Sequence, residues 1–156
     1  MSKSSLSTIR ASAATTSSWV ATSAIKINYW AWMDLRVLMT ATATSDQVLV
    51  IPEVSFNATD VAESAYEWWP CGLATSTLTS QSIGTAPSGA LYGNFNFYYP
   101  ELRNAVIATD VASNSGDKIV APAQIFIGGA RAFRLQVKAA AGTPTCSVIG
   151  MGFGKF

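Results

Sequence analysis

The chain has 156 residues, a mass of 16.5 kDa, a formal net charge of +1, 12% charged residues and 49% hydrophobic residues. This length fits one domain. The hydrophobicity excludes a disordered chain, and ten basic residues against nine acidic ones exclude a general nucleic-acid binder, which needs a concentrated basic surface. Histidine is absent, so the commonest general base and the commonest metal ligand are both missing.

The surface must therefore be covered by small polar and small apolar residues, of which there are 18 Ser, 15 Thr and 24 Ala. Two cysteines, Cys71 and Cys146, cannot hold a four-ligand zinc. They are read as two buried free thiols, with a single disulfide as the alternative. No segment approaches the ~20 apolar residues of a membrane helix.

Residues 1–18 are rich in Ser, Thr and Ala, carry Lys3 and Arg10, and contain no acid. They are read as an extended N-terminal arm, held by neighbouring chains, ahead of a single domain over residues 19–156. From Ile25 to Met39 the odd positions carry Ile, Ile, Tyr, Ala, Met, Leu, Val and Met, while Lys26, Asn28, Asp34 and Arg36 take the other face. Alternation of this length predicts a long half-buried strand or a bent strand pair. A turn is predicted near Asp46. Val48 to Ile51 then reads as a buried strand, with Pro52 marking an edge or a bulge. Thr59 to Tyr66 and Glu101 to Arg103 are the best helical candidates, and both are too short to be stable alone.

Leu91, Phe95, Phe97 and Tyr99 predict one face of a further strand, and Leu102 to Ile107 a shorter one. Gln124 to Ile127 leads into Gly128-Gly129, a tight bend. Arg131 to Lys138 places Phe133, Leu135 and Val137 inward and Arg134, Gln136 and Lys138 outward. Gly142 is read as the centre of a hairpin turn into a last strand over residues 145–153. In that strand Gly150 and Gly152, followed by Gly154, signal close backbone approach. About eight short strands separated by turn signals predict an all-β fold: an antiparallel β-sandwich of jelly-roll-like kind.

No constellation points to catalysis. Ser and Thr are abundant but lack a histidine base. Glu53, Asp60, Glu63 and Glu67 lie close in sequence and are read as solvated loop carboxylates rather than a hydrolytic pair. A calcium site from Asp60 and Asp110 lacks the ligand density of a known loop. The chain is read as a non-enzyme with no cofactor and no metal. The aromatics carry more information. Trp30, Trp32, Tyr92 and Tyr98 fall on the non-core parity of their strands, and Trp68 and Trp69 sit beside Pro70. With Phe153 and Phe156 of the tail, they form the candidate interface.

The segment Gln124-Ile125-Phe126-Ile127-Gly128-Gly129-Ala130-Arg131-Ala132-Phe133-Arg134-Leu135-Gln136-Val137, followed by Gly142-Thr143 and Ser147-Val148-Ile149, resembles the closing hairpin of small β-sandwich proteins of tailed-bacteriophage virions. Val48 to Trp69 is similar to the middle of such domains, although Asn57-Ala58-Thr59-Asp60 stands where they often carry an Asp-Gly turn. The resemblance implies a virion structural protein, made in the host cytoplasm, of the capsid decoration or cement type. It would stabilise the phage head as a homo-oligomer, with a trimer favoured, through contacts with the major capsid protein or other virion proteins. No nucleic acid or membrane is implied as a partner. The alternative is a carbohydrate-binding β-sandwich module of a tail or receptor-binding apparatus, with Trp68, Trp69 or Tyr98 as stacking platforms.

Overall fold

A computed structural model describes residues 6–27, 30–57, 61–71 and 106–154. They form an all-β, antiparallel sandwich. In chain order the strands are β1 (Leu6–Ala14), β2 (Val20–Ala21), β3 (Ile25–Lys26), β4 (Trp32–Thr40), β5 (Gln47–Ser55), β6 (Trp69–Pro70), β7 (Ile107–Ala108), β8 (Lys118–Phe126), β9 (Ala132–Ala141) and β10 (Thr145–Phe153). The first sheet has the order β1-β10-β4-β8. The second is built on β2-β9-β5-β6, with β3 also on β9 and β7 also on β5.

Period-2 patterning explains which residues meet in the middle. Met33, Leu35, Val37 and Met39 from β4, Val148 from β10 and Ile125 from β8 face inward from the first sheet. Val48, Val50 and Val54 from β5, with Phe133, Leu135 and Val137 from β9, face inward from the second. All belong to one buried cluster. The odd-position pattern of residues 25–39 is thus a bent strand pair: β3 lies in the second sheet, β4 in the first, and Ile27 and Ala31 are buried where the chain crosses.

Crossing between sheets is the rule. β1 leads into β2, β4 into β5, β7 into β8 and β9 into β10, each time changing sheet. These connections gather at one end, where Thr15 N–H donates to the Pro144 carbonyl, Ala41 N–H to that of Asp117 and Ala112 N–H to that of Asp46. Gly142, expected at a hairpin, therefore turns the chain from one sheet to the other; β9 and β10 do not pair. The turn chemistry is the same in both cases, since φ is +66° there. What differs is the pairing partner, which a local sequence signal does not contain.

Asp46 organises this end. Its buried carboxylate accepts hydrogen bonds from Thr42 N–H, Ala43 N–H and the Thr42 hydroxyl, and these bonds hold its pKa below the usual carboxylate value. A carboxylate depressed on folding stabilises the protein above its unfolded pKa of about 3.9, and that contribution disappears as pH falls through the lower folded value. Thermal melts are therefore expected to show wild type above Asp46→Asn at pH 6, with the gap closing below about pH 4. A gap constant down to pH 2 would contradict this assignment.

Proline placement follows donor accounting. Pro122 lies in β8, the edge of the first sheet, where a missing N–H costs no ladder bond. Its presence hid the Lys118–Ala123 half of β8 from the sequence reading. Pro52 was expected at an edge or bulge, yet β5 is internal and its pairing with β9 is regular from Val48 to Ser55. The Pro52 carbonyl accepts from Cys71 N–H, so the proline's donorless nitrogen points to the same flank, between the two short strands β6 and β7. No bond to β9 is lost.

Three further expectations differ from the structure. Among its described residues, 61–66, the helical candidate at Thr59 to Tyr66 contains a single 3₁₀ turn, Glu63–Ala65. Residues 6–14 of the 1–18 arm form β1, paired along the chain's own β10. Glu53 is not a solvated loop carboxylate but a strand residue, 1% exposed. The candidate elements over residues 91–99 and 101–103 lie outside the described residues.

Candidate functional site

The outer face of the first sheet is the most distinctive surface. Residues whose neighbours of opposite parity fill the core point to this side. The cross-strand register arranges them in rows over β10, β4 and β8. The first row is Phe153, Trp32 and Phe126; the second is Met151, Asp34 and Gln124; the third is Ile149, Arg36 and Pro122; the fourth is Ser147, Leu38 and Val120. Leu6 of β1 extends the second row beside Met151.

This face is apolar for a surface. Leu6, Trp32, Leu38 and Val120 are 67%, 37%, 36% and 51% exposed. Trp32 and Phe126 meet edge to face, with ring centroids 5.0 Å apart, a geometry favoured by the ring quadrupoles. The charges are few: Asp34 and Arg36 lie in the middle, and exposed Lys118 stands at the far end of β8 beside Thr40. Asp34 accepts a hydrogen bond from the Gln124 amide at 3.1 Å, whereas Arg36 is exposed and has no ion pair among the described residues. Four strands about 4.8 Å apart and nine residues at about 3.4 Å each give a sheet footprint of roughly 590 Å². Its apolar part, interrupted by Asp34, Arg36, Gln124 and Lys118, falls within the range of the largest patch on a monomer, the kind that is often an interaction site.

The outer face of the second sheet is built differently. Glu53 and Arg134 are direct cross-strand neighbours on β5 and β9. Arg134 Nε donates to Glu53 Oε2 at 2.6 Å, and the Gln136 amide donates to the same oxygen at 3.3 Å. The Trp68 ring lies over the Arg134 guanidinium at 4.3 Å. Four residues along β9, the Lys138 ammonium lies over Trp19 at 4.7 Å. These are cation–π contacts that cover the sheet with the chain's own tryptophans. Both bonds converge on Oε2, so the cluster ties β5 to β9 across the sheet. Among the described residues no group of three or more His, Cys, Asp or Glu could hold a metal ion.

The predicted aromatics therefore separate. Trp32 and Phe153 come together in one row on the first sheet. Trp30 and Trp69 are half-buried and pack against the core. Trp68 is half-buried on the opposite side of the molecule, against Arg134. Tyr92, Tyr98 and Phe156 lie outside the described residues. Sequence reasoning passed over Phe126, Leu38, Val120, Ile149 and Met151, which complete the face. Their parity marks them once β4, β8 and β10 are known to be adjacent, but adjacency is a property of the topology.

Cys71 and Cys146 are both free and buried. Burial drives the Cys71 thiol pKa up, with the Glu53 charge adding to it, and burial pushes Cys146 up to about 11 despite an opposing contribution from Arg10. Thiols held protonated at neutral pH react slowly. Ellman's reagent at pH 8 is expected to find no fast-reacting thiol in the native protein and two after denaturation. One fast native thiol would contradict the burial described.

Comparison with protein-family models, with curated proteins and with solved structures finds no match to this chain.

Proposed function

We propose that this chain is a non-enzymatic structural subunit of a virus particle. The observation that carries the reading is the strand order: β1-β10-β4-β8 in one sheet and β2-β9-β5 in the other, where both β6 and β7 flank β5, so that β1, β10, β4 and β8 are each joined to the facing strand β2, β9, β5 or β7. This order supports a jelly roll, the sandwich used by viral capsid and lectin domains. The composition agrees with a capsid role, because a surface with few charges and a broad apolar sheet face risks association in a free monomer and suits a subunit covered by its neighbours. Shell binding that favours only the assembled state would stabilise the particle by mass action.

The decoration role on a phage head rests on the resemblance described above. Residues 6–14 lie on the chain's own β10, which removes them as a free bridging arm. Contacts through sheet faces are the better supported route to neighbours, whether copies of this chain, as in the expected trimer, or a major capsid protein. Negative-stain electron microscopy of the purified chain, alone and mixed with candidate shells, tests the reading. Uniform particles or decorated shells are the expected result. A chain that stays monomeric and leaves shells bare would overturn it.

One observation favours carbohydrate binding as a second reading. Exposed Trp32 stands beside the hydrogen-bonded Asp34 and Gln124 on an open sheet face, an arrangement able to stack a sugar ring and bond its hydroxyls. Trp68 and Trp69, the expected platforms, are instead engaged with Arg134 and the core. A glycan array probed with wild type and Trp32→Ala separates the two readings.

A further inference from the structure

We infer that the outer face of the β1-β10-β4-β8 sheet pairs with the same face of a second copy, about a two-fold axis perpendicular to β4 at the level of Leu35. This deepens the subunit reading above by naming the surface and its occupant.

The argument starts from the unpaired charge. Arg36 sits in the middle of an apolar face, exposed and without an ion pair among the described residues, two positions from Asp34 on the same strand. Face-to-face sheets pack about 10 Å apart with strands within about 30° of alignment. An axis at Leu35 that reverses β4 onto its copy sets position 36 of one protomer against position 34 of its partner, and position 32 against position 38. Arg36 then meets Asp34 twice, once on each side of the axis. A self-complementary patch of this kind is what a two-fold interface requires.

The remaining rows agree without further assumption. Because the register between β10, β4 and β8 is regular, the same axis brings the row Phe153, Trp32 and Phe126 of one protomer onto Ser147, Leu38 and Val120 of the other. The large aromatic row lies on the row of smaller side chains at all three positions. Met151 falls against Ile149, and Gln124 against Pro122. Mostly apolar side chains, with Gln124 and Ser147 among them, thus surround the central charges, and bulk is matched by recess at both ends. Two full footprints of roughly 590 Å² bury up to about 1,200 Å², which passes the ~1,000 Å² expected of a specific interface.

Sedimentation equilibrium of the full chain with a charge-swap set tests the inference. Wild type is expected at twice 16.5 kDa or an even multiple of it, and a simple trimer would count against the two-fold pairing. Arg36→Asp and Asp34→Arg each place like charges across the axis and should weaken association by about ten-fold or more. The double variant D34R/R36D restores the opposite pairing and should recover most of the loss. Single variants that associate as wild type does, or a double variant no better than the singles, would overturn the inference; so would a wild-type monomer that binds glycans through this face. The subunit reading fails separately. Particles unaffected by the swap set would leave that reading intact and remove this interface. Charge-rescued dimers that never join a particle would do the reverse.

Discussion

Replacing Arg134 with methionine is expected to destabilise the fold by about 3–5 kcal/mol, the cost of removing one member of a buried ion pair. Glu53 is 1% exposed while the Arg134 side chain is 17% exposed, so the penalty falls on the carboxylate left behind. Without the guanidinium at 2.6 Å, Glu53 keeps, among the described residues, only the Gln136 amide at 3.3 Å, a poor substitute for a charge-assisted bond. The Trp68 ring also loses its cation. Urea denaturation gives the difference directly if the slope is unchanged. The double variant E53L/R134M should regain most of the loss, because an apolar pair carries no desolvation penalty. A loss below about 1 kcal/mol for Arg134→Met would mean that water reaches Glu53 and that the pair behaves as a surface one.

Gly152→Ala is expected to cost about 3 kcal/mol, at the upper end for overpacking a filled site. Gly152 lies on the inward face of β10, and a β-carbon there would stand 1.9 Å from Cε3 of the Trp30 indole. The ring is rigid and packs against the core, so it cannot yield without leaving its place. Gly150, one inward position earlier, is filled by Ile9, Met33 and Leu35 in the same manner. Together the two glycines create the slot in which Trp30 closes the end of the sandwich. Trp30→Leu in the Gly152→Ala background should recover part of the loss, which would appear as a coupling energy in a double-mutant cycle. An additive cycle would show that the indole does not occupy that slot.

How much of this was legible in the sequence depends on the range of the interaction. The inward parity of Met33 to Met39, Val48 and Val50, and Phe133 to Val137 is local, and alternation reports it correctly. The close approach at Gly150 and Gly152 was also readable, because a strand spends a side chain only where something else fills the space. Sheet membership was not. β9 and β10 share every local mark of a hairpin, and only their pairing with β5 and β4 separates them. The same limit applies to Glu53. Its parity places it away from the core, but burial comes from Arg134 and Gln136 across the strand pair and from Trp68 above. Among the aromatics, Trp32 was legible as an off-core residue, while Trp30, of the same parity, turns inward because it precedes the strand at the sheet crossing. The candidate face required three strands to be placed side by side before its rows could be read.

Hydroxyl-radical footprinting across a protein concentration series tests most directly whether that face is meant to be covered. Met151 and Trp32 should lose reactivity together as concentration rises, while Phe56, 48% exposed in the bend just after β5, stays constant as an internal reference. Reactivity of Met151 and Trp32 that never changes, from dilute protein to the highest concentration reached, would contradict a sheet face built to meet its own copy.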